Sequence, residues 1–497
     1  MTESKKIKRL LEMIPGGISW GVIVLLVVLA IVRPVACAII IIVFDFYWII
    51  RTAYLTTLLI LAHRKLLKQK NKHWLKSCER LPEKYRWQRI RHLVIFPVYK
   101  EDISVLRASL KALQEAEYPK EKMIVVMAFE ERYKPARETA KILESEFAGH
   151  FSGYLTTFHP DGLAGEKRLK GANATWAAQR AAEYLQVKRI EFADVIVSCF
   201  DADTCVDNGY FGCLTYHFVT NPKPHQASYQ PVPLYNNNIW YAPSFARIVE
   251  TSASFFQLIE SMRLEKFVTF SSHSMSFKTL VDIDYWPVDM ISDDSVVYWK
   301  AFLFYGGDYH VIPLYNTVSM DIAYGRNLWQ TILAQYRQKR RWAWGVENFP
   351  YVASRFINNP HIGFFTKMRR SFHLLESHIT WSLWAIIIVV VGPLPILLGG
   401  FVFNQMPIGY NLPRVTGLLL NFTLITSFIC IVLARTILPP RPKDVSWIKH
   451  VLMVLEWLIV PLVIILVGST PALDAQTRLL FNRQLEFFPT AKSRRVI

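Results

Sequence analysis

The sequence predicts an α/β domain with a mostly parallel sheet, embedded between transmembrane α-helices. Two apolar blocks, at about 18–62 and 379–468, flank a mixed segment of about 64–375. Within that segment, short apolar runs typical of strands alternate with longer runs typical of helices, which indicates a parallel sheet. The 497 residues leave room for one sizeable soluble domain and several spans.

The N-terminal apolar block is too long for one span of about 20 residues. Arg33-Pro34 predicts a turn between a helix over about 17–32 and a longer, tilted helix over about 35–62. Asp45 lies among aromatic residues of the second helix, so a turn near Asp45 is the alternative. Basic residues flank the block on both sides, which predicts two crossings within 1–63 and a cytosolic central domain.

The central domain, 64–350, contains four predicted strands and three predicted helices. The strands lie at 92–96, 123–128, 153–158 and 194–200, and the helices lie at 103–117, 134–147 and 171–185. In such α/β sheets, ligands bind at the carboxyl ends of the strands. The polar clusters described next follow predicted strand ends.

Two carboxylates one residue apart, Asp201 and Asp203, follow the fourth strand. In an extended segment, positions i and i+2 point to the same side. Both side chains can therefore address one hard divalent cation, which in turn binds a diphosphate. A pair of solvated loop carboxylates is the alternative for this short pattern taken alone.

Two further clusters follow in order along the chain. Ser292-Asp293-Asp294 offers a general base, or alternatively a helix cap with acid in its first turn. In Gln338-Lys339-Arg340-Arg341-Trp342, the glutamine and Arg341 are i, i+3 neighbours on one helical face. A basic face beside the membrane is the alternative for this cluster, and we favour it for Lys339 and Arg340.

These motifs, in this order and between hydrophobic spans, resemble the membrane-integrated family 2 glycosyltransferases, the group that contains cellulose, chitin and hyaluronan synthases. The resemblance rests on Phe96-Pro97-Val98-Tyr99-Lys100-Glu101, Asp201-Ala202-Asp203, Ser292-Asp293-Asp294 and Gln338-x-x-Arg341-Trp342. It implies a GT-A-type nucleotide-sugar domain, an inverting transfer from a UDP-sugar or GDP-sugar, and Mg²⁺ or Mn²⁺ as cofactor.

The resemblance also implies residue roles. Asp294 is the catalytic base, and Asp203, with Asp201 closer to the nucleotide, binds the metal. The remaining donor and acceptor residues fall into two sets: Tyr99, Glu130, Lys170, Asp201 and Arg341 for the nucleotide sugar, and Trp342, Gln338 and Asp293 for the acceptor.

Several of these positions have alternatives or depart from the pattern of the family. Glu130 or Glu131 stands where the family usually has an aspartate, and Lys170 is alternatively a solvated residue at a helix start. His273, in a loop that usually has small residues, is an acceptor contact or a satisfied loop histidine. Phe487, Thr490 and Lys492 resemble a gating loop, and a disordered basic terminus is the alternative.

The C-terminal part is predicted as an amphipathic interfacial segment over 351–378, about three spans within 379–470, and a basic tail over 471–497. The spans are placed at about 379–403, 414–438 and 448–468. Three crossings would put this basic tail outside, against the distribution of positive charge. A re-entrant element or an additional crossing would resolve the conflict, and we expect a cytosolic tail.

The leading interpretation is a synthase that extends a glycan and feeds it through its own spans. Transfer of one sugar to a lipid acceptor is the alternative. A catalytically inactive scaffold or transporter is disfavoured, because each position expected to bind the metal or act as the base holds a residue able to do so. The charge of +18 suits contact with a lipid bilayer rather than nucleic acid. Scattered cysteines indicate a reducing compartment, and the absence of a targeting signal favours a bacterial plasma membrane. Protein partners are not predicted.

Overall fold

The computed structural model describes residues 3–485. Two long helices open the chain, α1 (Glu3–Val32) and α2 (Pro34–Lys70). Pro34 occupies the first turn of α2, where its missing N–H costs nothing and its fixed φ favours the start of a helix. The predicted turn at Arg33-Pro34 is confirmed, whereas the alternative turn near Asp45 is wrong because α2 continues through it.

Within residues 3–485, one sheet contains eight strands. They are β1 (Arg91–Val98), β2 (Met123–Glu130), β3 (Gly153–His159), β4 (Val195–Cys199), β5 (Cys205–Val206), β6 (Ala227–Tyr235), β7 (Ser274–Ser276) and β8 (His310–Met320). The four predicted strands are confirmed as β1 to β4.

The strand order β3-β2-β1-β4-β7-β6-β8-β5 divides the sheet into two halves. The first four strands pair in parallel, as predicted. Beyond β4 the sheet is mixed: β7 pairs antiparallel with β4 and β6, β6 pairs in parallel with β8, and β5 pairs antiparallel with β8. The predicted α/β fold is therefore present, with a parallel half and a mixed half that meet at β4.

Helices cover the sheet on both faces. They are α3 (Trp74–Glu79), α4 (Ile103–Glu115), α5 (Ala136–Phe147), α6 (Lys170–Val187), α7 (Tyr210–Thr220), α8 (Ser244–Glu260), α9 (Phe277–Asp282), α10 (Asp293–Phe304), α11 (Leu328–Ala343) and α12 (Asn348–Ile357). The three predicted helices are confirmed as α4, α5 and α6.

The side chains of β1 alternate between two apolar cores, as expected for a strand covered on both faces. Val94 and Phe96 pack into one core with α4 and α7. Leu93 and Ile95 pack into the other, where α6 presents a row of buried alanines. Small alanine side chains let α6 lie close to the sheet. Its first residue, Lys170, therefore lies near the end of β4.

The C-terminal part begins with a long helix, α13 (Phe364–Ile386), which continues as a π-helix over Ile387–Val391. The predicted interfacial segment, 351–378, includes the end of α12, which stops at Ile357, and the first part of α13, which runs on into the apolar span. The remaining helices are α14 (Leu394–Leu398), α15 (Gly400–Gln405), α16 (Pro407–Thr436), α17 (Ile448–Leu455), α18 (Val460–Val463) and α19 (Thr470–Leu480), with a π-helix over Ile464–Ser469 between the last two.

Among the described residues, four helices are long and apolar enough to cross a membrane: Lys6–Val32, Pro34–Lys70, Phe364–Val391 and Pro407–Thr436. Their connections alternate between two ends. At one end Gly399, before α15, packs against Pro34 at the α1–α2 turn. At the other end, Thr436 Oγ1 is 2.8 Å from His63 Nε2, close to the α/β domain. Apolar side chains such as Leu26, Ile41 and Leu383 fill the space between the helices.

The last predicted span, 448–468, belongs to a segment that is bent by 71° between Ile448–Ile459 and Ile464–Leu480. Both of its ends contact the α/β domain. The rings of His450 and Trp240 lie 5.0 Å apart, and Asp474 in α19 forms a 2.8 Å ion pair with Arg340. The middle of the segment also packs on the domain, where Val460, Val463 and Val467 contact apolar side chains of α8.

We expect residues of the α15 end and of the 437–447 loop to be accessible from opposite sides of a membrane. Gln405→Cys should react with a membrane-impermeant maleimide only from the side facing away from the α/β domain. Lys443→Cys should react only from the domain side. Labelling is measured in sealed vesicles of known orientation, with the wild-type protein as the background for the native cysteines. Labelling of both variants from the same side would contradict the alternating connections.

Candidate functional site

Three elements converge at the carboxyl end of β4, where the parallel and mixed halves of the sheet meet. Asp201 follows β4, Lys170 is the first residue of α6, and Asp294 lies in the first turn of α10. The loop before β7, which contains His273, closes the site from the mixed half of the sheet. The crevice at the carboxyl ends of the strands is the expected ligand position in an α/β sheet.

Lys170 joins the two predicted catalytic clusters. Its Nζ lies 2.8 Å from Oδ1 of Asp201 and 3.0 Å from both carboxylate oxygens of Asp294. Burial would lower the pKa of Lys170, but the two carboxylates raise it well above its usual value. The amine therefore stays a cation, and the alternative of a solvated lysine at a helix start is wrong.

Gly171 allows this close approach. A Cβ at that position would lie 2.3 Å from the carbonyl oxygen of Pro287 and 3.0 Å from Cβ of Asp293. Any side chain larger than hydrogen would push the start of α6 away from α10. The glycine after Lys170 therefore sets the distance between the lysine and the Ser-Asp-Asp motif.

Asp293 and Asp294 are adjacent but occupy different environments. Asp293 is 5% exposed, and among the described residues its Oδ2 has no hydrogen-bond partner. Burial, followed by the charge of Asp294, raises the pKa of Asp293, although Lys170 lowers it. This burial leaves little of Asp293 for the predicted acceptor contact, whereas Asp294 faces the lysine.

Asp203 is fully buried and fixed by the backbone of the segment after β8. The amide of Asp321 donates a 2.7 Å hydrogen bond to Oδ2 of Asp203. Asn237 Nδ2 lies 3.1 Å from the carbonyl oxygen of Asp203 and 2.9 Å from Oδ1 of Asp321. The carboxylate of Asp203 is thus held in one orientation, as metal ligands commonly are.

The loop before β7 contacts both carboxylates that Lys170 joins. Ser271 Oγ donates a 2.6 Å hydrogen bond to Oδ2 of Asp201. His273 is buried; its Nδ1 donates to the carbonyl oxygen of Phe270 at 3.0 Å and lies 3.7 Å from Oδ1 of Asp294. Burial lowers the pKa of His273, although Asp294 raises it. The ring is therefore neutral near pH 7.

Trp342 lies in the last turn of α11, as does Arg341. The indole ring packs 5.7 Å from Tyr235 and 5.5 Å from Phe270. Phe270 is the residue whose carbonyl accepts from His273. Trp342 is thus connected to Asp294 through two intervening residues, Phe270 and His273.

The basic residues before Arg341 do not form a face toward the membrane. Lys339 is 5% exposed; its Nζ forms a 3.1 Å ion pair with fully buried Glu250 of α8 and lies 3.5 Å from the Trp342 ring centroid. Arg340 pairs with Asp474. The favoured interpretation of Lys339 and Arg340 as a basic membrane face is therefore wrong, because both cations neutralise carboxylates on neighbouring helices. Gln338 is also buried, with Oε1 unpartnered among the described residues.

Glu347 is a site residue that the sequence analysis missed. Its Oε1 accepts from the backbone amide of Ser292 at 2.9 Å and from Ser292 Oγ at 2.7 Å. Its Oε2 accepts from Trp344 Nε1 at 3.0 Å. Burial raises the pKa of Glu347, whereas the Ser292 hydrogen bonds lower it. A single carboxylate in the apolar run after Arg341-Trp342 was the signal available in the sequence.

A cavity of about 690 Å³ opens beside the predicted nucleotide residues. Tyr99 lines it, whereas Glu130 is 5% exposed and Glu131 pairs with Arg137 at 3.0 Å. The lining is rich in cations: Lys8, Lys100, Arg132, Lys167, Arg168 and Arg483. The described chain ends at this cavity, where Gln484 accepts a 3.0 Å hydrogen bond from Lys167. The predicted gating residues Phe487, Thr490 and Lys492 lie outside the described residues.

Comparison with known proteins supports one family. The model of the family described as "Glycosyl transferase family group 2" matches residues 196–460, which is more than half of the chain. The match includes both aspartate motifs, Arg341-Trp342 and the segment through α17. No curated protein matches the chain.

Two groups of solved structures are similar to the chain. The mannosyltransferase PcManGT from Pyrobaculum calidifontis, solved with GDP-Man and Mn²⁺, is 15% identical, with 77% of this chain and 98% of that chain covered and a TM-score of 0.42. The S. aureus protein TarS, residues 1–349 with UDP-GlcNAc, is 15% identical, with 74% and 91% covered and a TM-score of 0.38. Both TM-scores are low, so these likenesses assign no role to any residue here.

We expect the Lys339–Glu250 pair to contribute to stability only as a pair. Lys339→Met should lower the free energy of unfolding by about 3–5 kcal/mol, because it leaves the Glu250 carboxylate buried without a cation. The double variant Lys339→Met/Glu250→Gln should recover most of this loss. Thermal unfolding in detergent, monitored by intrinsic tryptophan fluorescence, provides the measurement. Equal destabilisation in the single and double variants would contradict the buried ion pair.

Proposed function

The chain belongs to glycosyl transferase family group 2, and on that premise we propose that it transfers a sugar from a nucleoside diphosphate to an acceptor hydroxyl at a membrane surface, with inversion. The α/β sheet with its site at the end of β4 agrees with the predicted GT-A-type domain. A UDP-sugar is the first donor to test, and a GDP-sugar is the alternative.

The observation that carries this proposal is the position of Lys170 between Asp201 and Asp294. The lysine brings Asp201, the carboxylate proposed to lie beside the diphosphate, close to Asp294, the carboxylate proposed to lie beside the acceptor. Asp294 takes the proton of the acceptor hydroxyl while that oxygen bonds to the anomeric carbon. The bond from the anomeric carbon to the diphosphate oxygen breaks in the same displacement, and the nucleoside diphosphate leaves.

The two neighbouring aspartates then have separate roles. Asp293 is the buried member of the pair, and its pKa is raised by burial and by Asp294. Asp294 faces the Lys170 cation and is the proposed base. Glu347 contributes by fixing Ser292, and with it the start of α10.

The donor set fits a divalent cation bound together with the diphosphate. Among the described residues, no group of three or more His, Cys, Asp or Glu is arranged to hold a metal. Mg²⁺ is usually bound through one or two carboxylates plus substrate phosphates, and Asp201 and Asp203 supply such a pair. Mg²⁺ or Mn²⁺ there would neutralise the charge that develops on the leaving diphosphate. Asp321 orients Asp203 for this role.

The cation-rich cavity is the proposed position of the donor nucleotide. Tyr99 lines it from the end of β1, and Lys167 and Arg168, which also line it, stand shortly before Lys170 in the chain. Positive side chains attract and hold a diphosphate. Arg341 is proposed as a further diphosphate contact because it adjoins Trp342 in α11. Trp342 is the proposed floor of the acceptor site. Gln338, about one helical turn earlier in α11, is proposed to assist it.

The acceptor is either a growing glycan or a lipid-linked molecule. Apolar side chains fill the space between the four long helices, including Ala30, Ala38 and Ile386. This closed packing favours transfer to a lipid-linked acceptor over translocation of a glycan between these spans. The proposed location of the catalytic domain is the cytosolic face of a bacterial plasma membrane, and the basic residues at both ends of the N-terminal helices support the cytosolic orientation.

We expect the purified protein in lipid nanodiscs to release nucleotide from one sugar donor, in a metal-dependent reaction. Asp294→Asn should reduce the rate by about 10²–10⁴-fold, because the proton acceptor is lost. Asp203→Ala and chelation of the metal should each abolish release. The measurement is nucleotide release across a panel of UDP- and GDP-sugars with membrane lipid extract present, and the products are sized.

The matched control is Asp282→Asn, which removes a carboxylate that pairs with Lys278 away from the site. Its rate should equal that of the wild type. A single-sugar lipid would support the lipid acceptor, and a long product would support glycan extension. Release that persists in Asp294→Asn at the wild-type rate would contradict the assigned base.

A further inference from the structure

The carboxylate predicted to bind the nucleoside is already occupied by protein side chains. Oε2 of Glu130 lies 3.2 Å from Nε of Arg132 and 3.6 Å from Nδ1 of His159. His159 in turn pairs with Glu166 at 2.7 Å. Burial would lower the pKa of His159, but Glu130 and Glu166 raise it above its usual value. Glu130, Arg132, His159 and Glu166 thus form one network beside β2 and β3.

Arg132 is the member of this network that reaches the cavity. Its guanidinium carbon lies 4.2 Å from the centroid of the Tyr99 ring. The ring of Tyr133 packs 6.0 Å from Tyr99, and Lys100 Nζ lies 4.8 Å from the Tyr99 centroid. Only 16% of the Arg132 side chain is exposed. The arginine and the tyrosine therefore form a layered surface on the cavity wall.

We propose that Arg132, layered on Tyr99 and held by Glu130, binds the base of the donor nucleotide. A guanidinium is planar and stacks on aromatic rings, and nucleic-acid bases stack on tyrosine and arginine alike. Glu130 is then a positioning residue that acts through Arg132, instead of the predicted direct contact with the nucleoside. This inference rests on the proposed function, because it concerns the donor of that reaction.

The sheet places this surface where a base would lie. The diphosphate belongs near Asp201, which follows β4. Arg132 follows β2, and β1 lies between β2 and β4. Neighbouring strands are roughly 4.8 Å apart, so the two positions are offset by about 10 Å along the edge of the sheet. Lys167 and Arg168 lie nearer to Lys170 in the chain, on the diphosphate side of the cavity.

The test is the dissociation constant for UDP and for GDP, measured by calorimetry with the full-length protein in nanodiscs. Arg132→Ala should weaken binding of the cognate nucleotide by about tenfold, the size of a lost stacking contact. Arg132→Lys should also bind the cognate nucleotide more weakly than the wild type, because lysine keeps the charge but lacks the planar surface. Arg137→Ala is the matched control: Arg137 pairs with exposed Glu131 and should leave binding unchanged.

Two further measurements separate the inference from its alternatives. Glu130→Gln/Arg132→Gln removes both charges without leaving a buried carboxylate alone, and it should bind as weakly as Arg132→Ala. Inorganic pyrophosphate should bind equally to the wild type and Arg132→Ala, since the base contact is missing from that probe. Equal loss of pyrophosphate binding would show a phosphate contact and overturn the assignment to the base.

The outcome for the wild type distinguishes this inference from the proposed function. Failure of the wild type to bind either nucleotide, with or without Mn²⁺, would contradict the proposed function. Tight binding by the wild type together with unchanged binding by Arg132→Ala would contradict only the role of Arg132.

Discussion

The site depends on one largely buried lysine, Lys170, whose ammonium group contacts two carboxylates. Lys170 begins α6, Asp201 ends the β4 segment and Asp294 begins α10, so three separate elements meet at one amine. Unpaired, any of these charges would be costly to bury. The contact at Gly171 shows how closely α6 and α10 must approach for the lysine to reach both partners. Without the lysine, the diphosphate side and the acceptor side of the site would repel each other.

Two of the four long apolar helices are connected by ion pairs to the segment that precedes β7. Glu376 in α13 forms ion pairs with Arg51 of α2 at 2.7 Å and with Lys266 at 3.0 Å. Lys266 lies a few residues before Phe270, which contacts both Trp342 and His273. The position of the loop before β7 therefore depends on the packing of two long helices.

The part of the fold with regular periodicity could be predicted from the sequence. Strands β1 to β4 are apolar runs separated by helices, so their order along the chain indicated a parallel sheet. The mixed half could not be predicted, because β5 and β7 span only two and three residues and carry no periodic signal. Their pairing is decided by tertiary contacts instead.

The residues of the candidate site also fall into a part that the sequence suggests and a part that depends on tertiary contacts. Asp201, Asp203 and Asp294 could be proposed from the sequence because they stand in short motifs, whose residues are adjacent along the chain. Buried ion pairs were misjudged because their partners are distant in sequence: Glu250 is 89 residues from Lys339, and Asp474 is 134 residues from Arg340. A run of basic residues in a sequence resembles a solvated helix face unless the acidic residues that pair with it can be identified. The contact of Glu130 with His159 could not be predicted for the same reason, since His159 lies on another strand.

The central claim is that Lys170 and Asp294 stabilise each other directly, and a double-mutant cycle measures this. Lys170→Met, Asp294→Asn and the combined variant are compared with the wild type by their free energies of unfolding in detergent. The account predicts a coupling energy of about 1–3 kcal/mol, as expected for residues in one buried network. The parallel cycle of Asp294→Asn with Lys167→Met, a nearby lysine bound to Gln484, should be additive. Additivity in the Lys170 cycle would contradict the claim that this lysine joins the two halves of the site.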